Sequence, residues 1–163
     1  MMNPTTRTPM RRLGLAMAGI GLLCAASPGQ SQDMDAATAI RVRKDAYREV
    51  GTAFKSLNDE LKKPSPIPFT VKRSTATISK IVPRMTTWFP AGSGPAPGVK
   101  TAAKPEIWTK RADFDALQRK LVVDTVQLDR LAAVGDMKAV AAQARVVGGD
   151  CKACHDKFRT RED

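Results

Sequence analysis

The stretch MKAVAAQARVVGGDCKACHDKF, residues 137–158, decides how this chain is read. Met137, Val140, Ala144, Val147, Cys151, Cys154 and Phe158 step by three and four without interruption, which is the spacing of one face of an α-helix. Both cysteines therefore lie on the seam that such a helix buries, and Cys151 and His155, four apart, share a side. Within it, Cys151-Lys152-Ala153-Cys154-His155 is a CxxCH peptide. Two thiols at that spacing can add across porphyrin vinyl groups, and the adjoining imidazole is then placed to ligate the iron. The expectation is one covalently bound haem c, held by Cys151 and Cys154 with His155 as axial ligand.

Two other uses of these residues are weaker. A zinc site wants four ligands, and the chain has one other cysteine and no second histidine. A redox CxxC expects a strand before it and a helix opening at the first cysteine, whereas residues 137–147 already read as helix. Gly148 and Gly149 are costly in a plain helix. They read either as room for the macrocycle or a neighbouring helix, or as an irregularity in the helix.

Upstream the chain divides into three further apolar-periodic stretches. In residues 34–63, Ile40, Arg43, Tyr47, Val50, Phe54, Leu57 and Leu61 define one face, and Pro64, Pro66 and Pro68 end it. Residues 69–89 place Val71, Ile78, Ile81, Val82, Met85, Trp88 and Phe89 near one side, with a kink or break expected at Pro83. Residues 90–104 form a Pro/Gly/Ala-rich connection. A third helix is expected from Pro105-Glu106, since proline suits the first turn and glutamate the positive end of the helix dipole, up to a turn at Gly135. Its core side carries Ile107, Phe114, Leu117, Leu121, Leu128 and Leu131. Four helices with mostly short connections specify an all-α, antiparallel up-down-up-down four-helix bundle, here enclosing the haem.

The first residues read as a secretory leader. Arg7, Arg11 and Arg12 precede an apolar run at residues 13–26, too short for a transmembrane span, and a polar spacer follows. Cleavage is placed after Ala26, with a cut a few residues later or an uncleaved anchor as alternatives. That leaves residues 27–163 as one domain and removes Cys24, so no thiol outside CxxCH remains for a structural disulfide. The formal net charge of +11 falls only by the three leader arginines, and the domain stays basic. A basic exported protein suits a redox partner that is acidic at its docking face, or an anionic membrane surface. Nucleic acid is not expected as a partner, because the basic residues are spread along helices without an aromatic platform and export removes the chain from nucleic acids.

Over the whole of residues 27–163 the chain resembles the cytochrome c′ family, including its methionine-ligated low-spin relatives. The residues that carry the resemblance are Arg43-Lys44-Asp45-Ala46-Tyr47-Arg48-Glu49-Val50-Gly51, Trp88-Phe89-Pro90-Ala91-Gly92-Ser93, Pro105-Glu106-Ile107-Trp108, and the run from Cys151 to Arg159. The resemblance implies a secreted four-helix haem protein, often a homodimer formed through its first two helices. It implies that Cys151 and Cys154 are the thioether positions, His155 the proximal ligand and Arg159 the basic residue one turn beyond. Arg43 then matches an arginine near the haem propionates, and Tyr47 the position facing the sixth coordination site. Residue chemistry agrees in part: a charge on the otherwise apolar stripe at Arg43 wants an opposite charge, though an arginine snorkelling to solvent is also open. Tyr47 could equally be a core residue with its hydroxyl satisfied.

The single histidine is used by CxxCH, which excludes intrachain bis-histidine ligation and a distal histidine for acid/base catalysis. Met34, Met85 and Met137 lie away from the position that Tyr47 occupies, Met34 by 13 residues or about 20 Å of helix. A five-coordinate iron with a tyrosine-lined open side is the resulting expectation. The function expected is periplasmic carriage of single electrons, with binding or buffering of nitric oxide or another diatomic gas as the alternative. Enzymatic turnover is not expected, since Tyr47 is the one distal proton-handling group that can be named.

Overall fold

The computed structural model describes residues 35–96 and 100–161, and the expectations for the leader, its cleavage and Met34 lie outside them. Helix α1 (Ala36–Leu61) is capped by Asp35, whose carboxylate accepts from the Thr38 amide at 2.9 Å. It stops before the three prolines. Glu60, buried at its last turn, accepts from the Ile67 amide at 2.7 Å and from Lys63 Nζ at 2.8 Å, and so closes the turn into the next helix. Helix α2 (Pro68–Ile81) begins on a proline at its first position, where the missing amide costs nothing. It ends just before Val82-Pro83, and the chain continues as a 3₁₀ segment over Val82–Thr87, the break that Pro83 imposes.

The third helix departs from expectation. It is two pieces, α3 (Glu106–Thr109) and α4 (Arg111–Val134), separated at Lys110, whose backbone is non-helical at φ −118°, ψ 47°. The cause is tertiary. Trp108 Nε1 donates to the Pro90 carbonyl at 3.0 Å, and the Arg111 guanidinium donates to the Phe89 and Thr86 carbonyls at 3.0 and 3.3 Å. The first turn is tied to the end of the 3₁₀ segment and cannot follow the bundle axis. α4 ends at Gly135, which takes the left-handed conformation (φ 84°) and returns its amide to Leu131 and Ala132.

Helix α5 (Met137–Phe158) runs unbroken through Gly148 and Gly149. The helix irregularity is therefore absent, and a Cβ at Gly148 would meet only the Phe54 ring, at an ordinary 3.5 Å, with nothing within 4 Å of one at Gly149. Neither glycine is required by a neighbouring helix. Asp136 caps α5 by accepting from the Ala139 amide at 2.9 Å. Asp136→Ala is expected to cost about 1 kcal/mol of stability, measured by urea unfolding.

The four long helices α1, α2, α4 and α5 form the antiparallel bundle. No strand occurs among the described residues, only an isolated bridge between Ala103 and Arg159. α1 packs on α2, α2 on α4 and α4 on α5, while α1 and α5 touch sparsely. The core is the expected seam: Leu57, Val71, Ile78, Phe114, Leu128, Val140 and Val147 are all essentially inaccessible. It also contains Gln118, Thr125 and Ala132, on the same α4 stripe as Phe114, Leu121 and Leu128.

Candidate haem site

Cys151 and Cys154 are free, partly buried thiols on the core side of α5, packed against the hydrophobic cluster. Burial raises both above the ordinary thiol range, Cys154 to about 11 with Cys151 as a further cause, so both are protonated at neutral pH. His155 sits one turn after Cys151, largely exposed. Partial desolvation, then the nearby Arg159 charge, holds its pKa below the usual histidine value. The neutral imidazole, which is the metal-ligating form, is thereby favoured.

Across the sparse α1/α5 seam stands Tyr47. Its ring packs edge-on against Trp88 (centroids 5.6 Å apart, 89° between planes) and tilted against Phe89 at 6.4 Å. Its pKa is raised, first by burial and then by the Cys154 and Cys151 thiols, with Arg43 and a hydrogen bond from the Gln118 amide pulling the other way. The phenol stays protonated, and Tyr47 packs against the same hydrophobic cluster as Cys151 and Cys154.

Arg43, one turn earlier, is 3% exposed. This corrects the snorkelling reading: the guanidinium is inside. It donates to Ser93 Oγ at 3.1 Å, to the Ser93 carbonyl at 2.8 Å and to Thr101 Oγ1 at 2.7 Å, and lies 4.8 Å over the Phe89 ring. Among the described residues no carboxylate pairs with it. A buried cation bonded only to neutral oxygens retains a demand for an anion, which a haem propionate would satisfy. Together with the thiol pair, the neutral imidazole and the lightly packed seam between α1 and α5, this donor set fits a haem.

Arg159 is exposed just past the end of α5, its amide bonded to the His155 carbonyl at 3.1 Å and its backbone bridged to Ala103. Its charge is one of the causes that lower the His155 pKa. Sequence reasoning missed Ser93 and Thr101, the oxygens that hold Arg43, and Gln118. Ser93 stands in the quoted Trp88–Ser93 run but carries no signal of its own. Gln118 does carry one, as a polar residue on an apolar stripe.

The model of the family described as cytochrome c′ matches residues 38–159. The cytochrome c′ of Cereibacter sphaeroides is 32% identical over 158 residues, covering 93% of this chain and 99% of that protein. The crystal structure of cytochrome c′ from Thermochromatium tepidum superposes with a TM-score of 0.75 at 27% identity, covering 79% of this chain and 100% of that one. A nitric oxide complex of a mutant cytochrome c prime from Alcaligenes xylosoxidans superposes with a TM-score of 0.70 at 25% identity, covering 78% and 98%. Agreement that extends from α1 through the attachment peptide to Arg159 makes this chain a member of the cytochrome c′ family, and its cofactor the one covalently bound haem c that the family carries.

Proposed function

We propose that the protein is a periplasmic carrier of single electrons rather than an enzyme, with an iron that is five-coordinate and open on the side that Tyr47 faces. The observation that carries this reading is the position of Tyr47, edge-on to Trp88 and packed against the hydrophobic cluster that Cys151 and Cys154 also join, with its phenol held in the protonated form. The haem, when bound, supplies the one-electron couple. Cys151 and Cys154 would hold it covalently, His155 would ligate its iron, and Arg43 would compensate a propionate charge. A neutral phenol is a poor ligand for ferrous iron, and burial makes the phenolate harder still to form. Met85 is buried in the 3₁₀ segment, and Met137 begins α5, far along the helix from His155.

The exposed Lys152, Lys157, Arg159 and Arg161 surround the attachment end of α5 and suit an acidic redox partner. No helix among the described residues is long and apolar enough to cross a membrane. A homodimer through α1 and α2 belongs to the same reading. The outer face of that pair carries a groove of about 470 Å³ lined by small and oppositely charged residues, among them Glu49, Thr52, Arg73 and Thr77, that a second copy can approach closely. Sedimentation at high concentration is expected to show the pair, and a strictly monomeric profile would remove it.

Binding of a small uncharged gas is the second reading, favoured by the same unligated side and by the nitric oxide complex of the Alcaligenes relative. One set of optical spectra tests both. High-spin bands in the oxidised and reduced protein, changing on addition of nitric oxide, are expected. Six-coordinate low-spin bands in the ferrous protein, insensitive to substitution at Tyr47, would refute the open site. Tyr47→Met is expected to move the spectra toward low-spin, because a thioether at that position can ligate where the phenol does not.

A further inference from the structure

Among the described residues five large hydrophobic side chains stand exposed, and three of them gather at one end of the bundle: Ile67 (53%), Phe69 (73%) and Val134 (78%). Ile67 and Phe69 frame the start of α2, and Val134 is the last residue of α4. The two helices run antiparallel and are joined by the bond from Thr75 Oγ1 to Asp129 Oδ1 at 2.8 Å, so these ends meet. The opposite end carries the attachment peptide, with Cys151 about 20 Å along α5 from Met137.

The tip is built rather than frayed. Pro64, Pro66 and Pro68 stiffen the turn, and Glu60 holds it from inside by accepting from the Ile67 amide and from Lys63 Nζ. The Ile67 backbone is tied in while its side chain faces out. Residues 55–73 carry five basic residues against two acidic ones, and both carboxylates are already bonded, Asp59 to Lys55 and Lys62, Glu60 to Lys63. The spare charge is positive. Lys62, Lys63 and Lys72 are exposed around the apolar pair, and the Arg73 guanidinium lies 6.0 Å from the centre of the Phe69 ring.

We propose that this tip is a docking surface for an anionic phospholipid bilayer: Ile67 and Phe69 enter the headgroup region while Lys62, Lys63 and Lys72 meet the lipid phosphates. Apolar side chains ringed by lysines match the two components of a membrane surface, its acyl boundary and its negative charge. A second copy of this chain would set like charge against the lysines. An acidic protein surface, charged where it meets those lysines, offers little to a phenylalanine left almost bare. The surface stands on the fold alone and not on the ligation of the iron. Its consequence is orientation, since a bilayer at the tip leaves the attachment end of α5 pointing toward soluble partners.

Flotation of the holoprotein with vesicles, followed by its haem absorbance, tests the surface. Wild type is expected to float with mixed phosphatidylcholine and phosphatidylglycerol, to stay behind with phosphatidylcholine alone, and to bind less as salt is raised. Ile67→Ser combined with Phe69→Ser is expected to lower the partition coefficient on the anionic vesicles by about tenfold or more, as both side chains lose their burial. Lys62→Gln combined with Lys72→Gln is expected to lower it by roughly tenfold, two surface charges being lost. Phe69→Trp keeps an aromatic suited to the interface and is expected to bind at least as well as wild type, which covers the case in which the serine pair does not fold. Failure of wild type to float with the anionic vesicles overturns the proposal, as does equal binding to phosphatidylcholine alone or a loss of binding in Phe69→Trp. Binding that the folded serine pair leaves unchanged overturns it too, and moves the contact to the lysines around the other end of α5. Sedimentation reads the competing occupant: self-association lost in the serine pair, with no vesicle binding by wild type, makes the tip a contact between copies and overturns the membrane assignment.

Discussion

Replacing Cys151 and Cys154 together by serine is expected to abolish covalent haem altogether. Serine keeps the size and the helix but cannot form a thioether, so the fold of α5 itself is not what the change attacks. Denaturing electrophoresis with haem staining, and the intact mass, read the outcome: one haem on the wild type and none on the double variant. The stability consequence follows from packing. The α1/α5 seam is the sparsest in the bundle, and a group that binds only the folded state stabilises it, so the haem-free variant should unfold at markedly lower urea. Release of haem from the wild type by acid-acetone extraction would show that the link is not covalent and that the two thiols serve another purpose.

Arg43→Leu is expected to cost about 3 kcal/mol, a fall in melting temperature of roughly 10 °C, because it leaves the buried Ser93 hydroxyl and carbonyl oxygens without their donor and the part-buried Thr101 Oγ1 with the Ala103 amide alone. Arg43→Lys should recover less than half of the loss, since one ammonium cannot bridge Ser93 and Thr101 while also lying flat on Phe89. Thermal unfolding of the holoprotein measures both. A loss below about 0.5 kcal/mol for the leucine variant, the scale of an ordinary surface substitution, would place the guanidinium outside the core.

Helix α5 was legible because its signal is local: Val140, Ala144, Val147 and Phe158 are buried where three-four spacing puts them, and the cysteines follow the same face. The break at Pro83 was legible for a similar reason, as proline acts on its own turn. The interruption at Lys110 was not. It arises from Trp108 and Arg111 reaching back to residues 86–90, a tie that no window of the α3/α4 sequence contains. The site divides along the same line. The attachment peptide announces itself in five residues, and Arg43 and Tyr47 were found through the family pattern in α1. The partners that hold the Arg43 guanidinium, Ser93 and Thr101, lie 50 or more positions away and have no motif. Gln118 and Thr125 were readable in principle, as polar residues on a stripe with Phe114, Leu121 and Leu128. Leu117, next to Gln118 in sequence, drew the stripe off its true centre.

The two residues that grip Arg43 stand at opposite ends of a span, Ser93 on one side and Thr101 on the other, and each is bonded to the same guanidinium. The span is therefore stapled at its feet. Extra residues placed between Ser93 and Thr101 would lengthen a connection whose ends are already held, at a chain-entropy cost of only about 0.6 kcal/mol for each doubling of its length. Relatives can differ in length there without disturbing the interior, and the same place can receive an inserted peptide or an affinity tag while the haem and its surroundings keep their geometry.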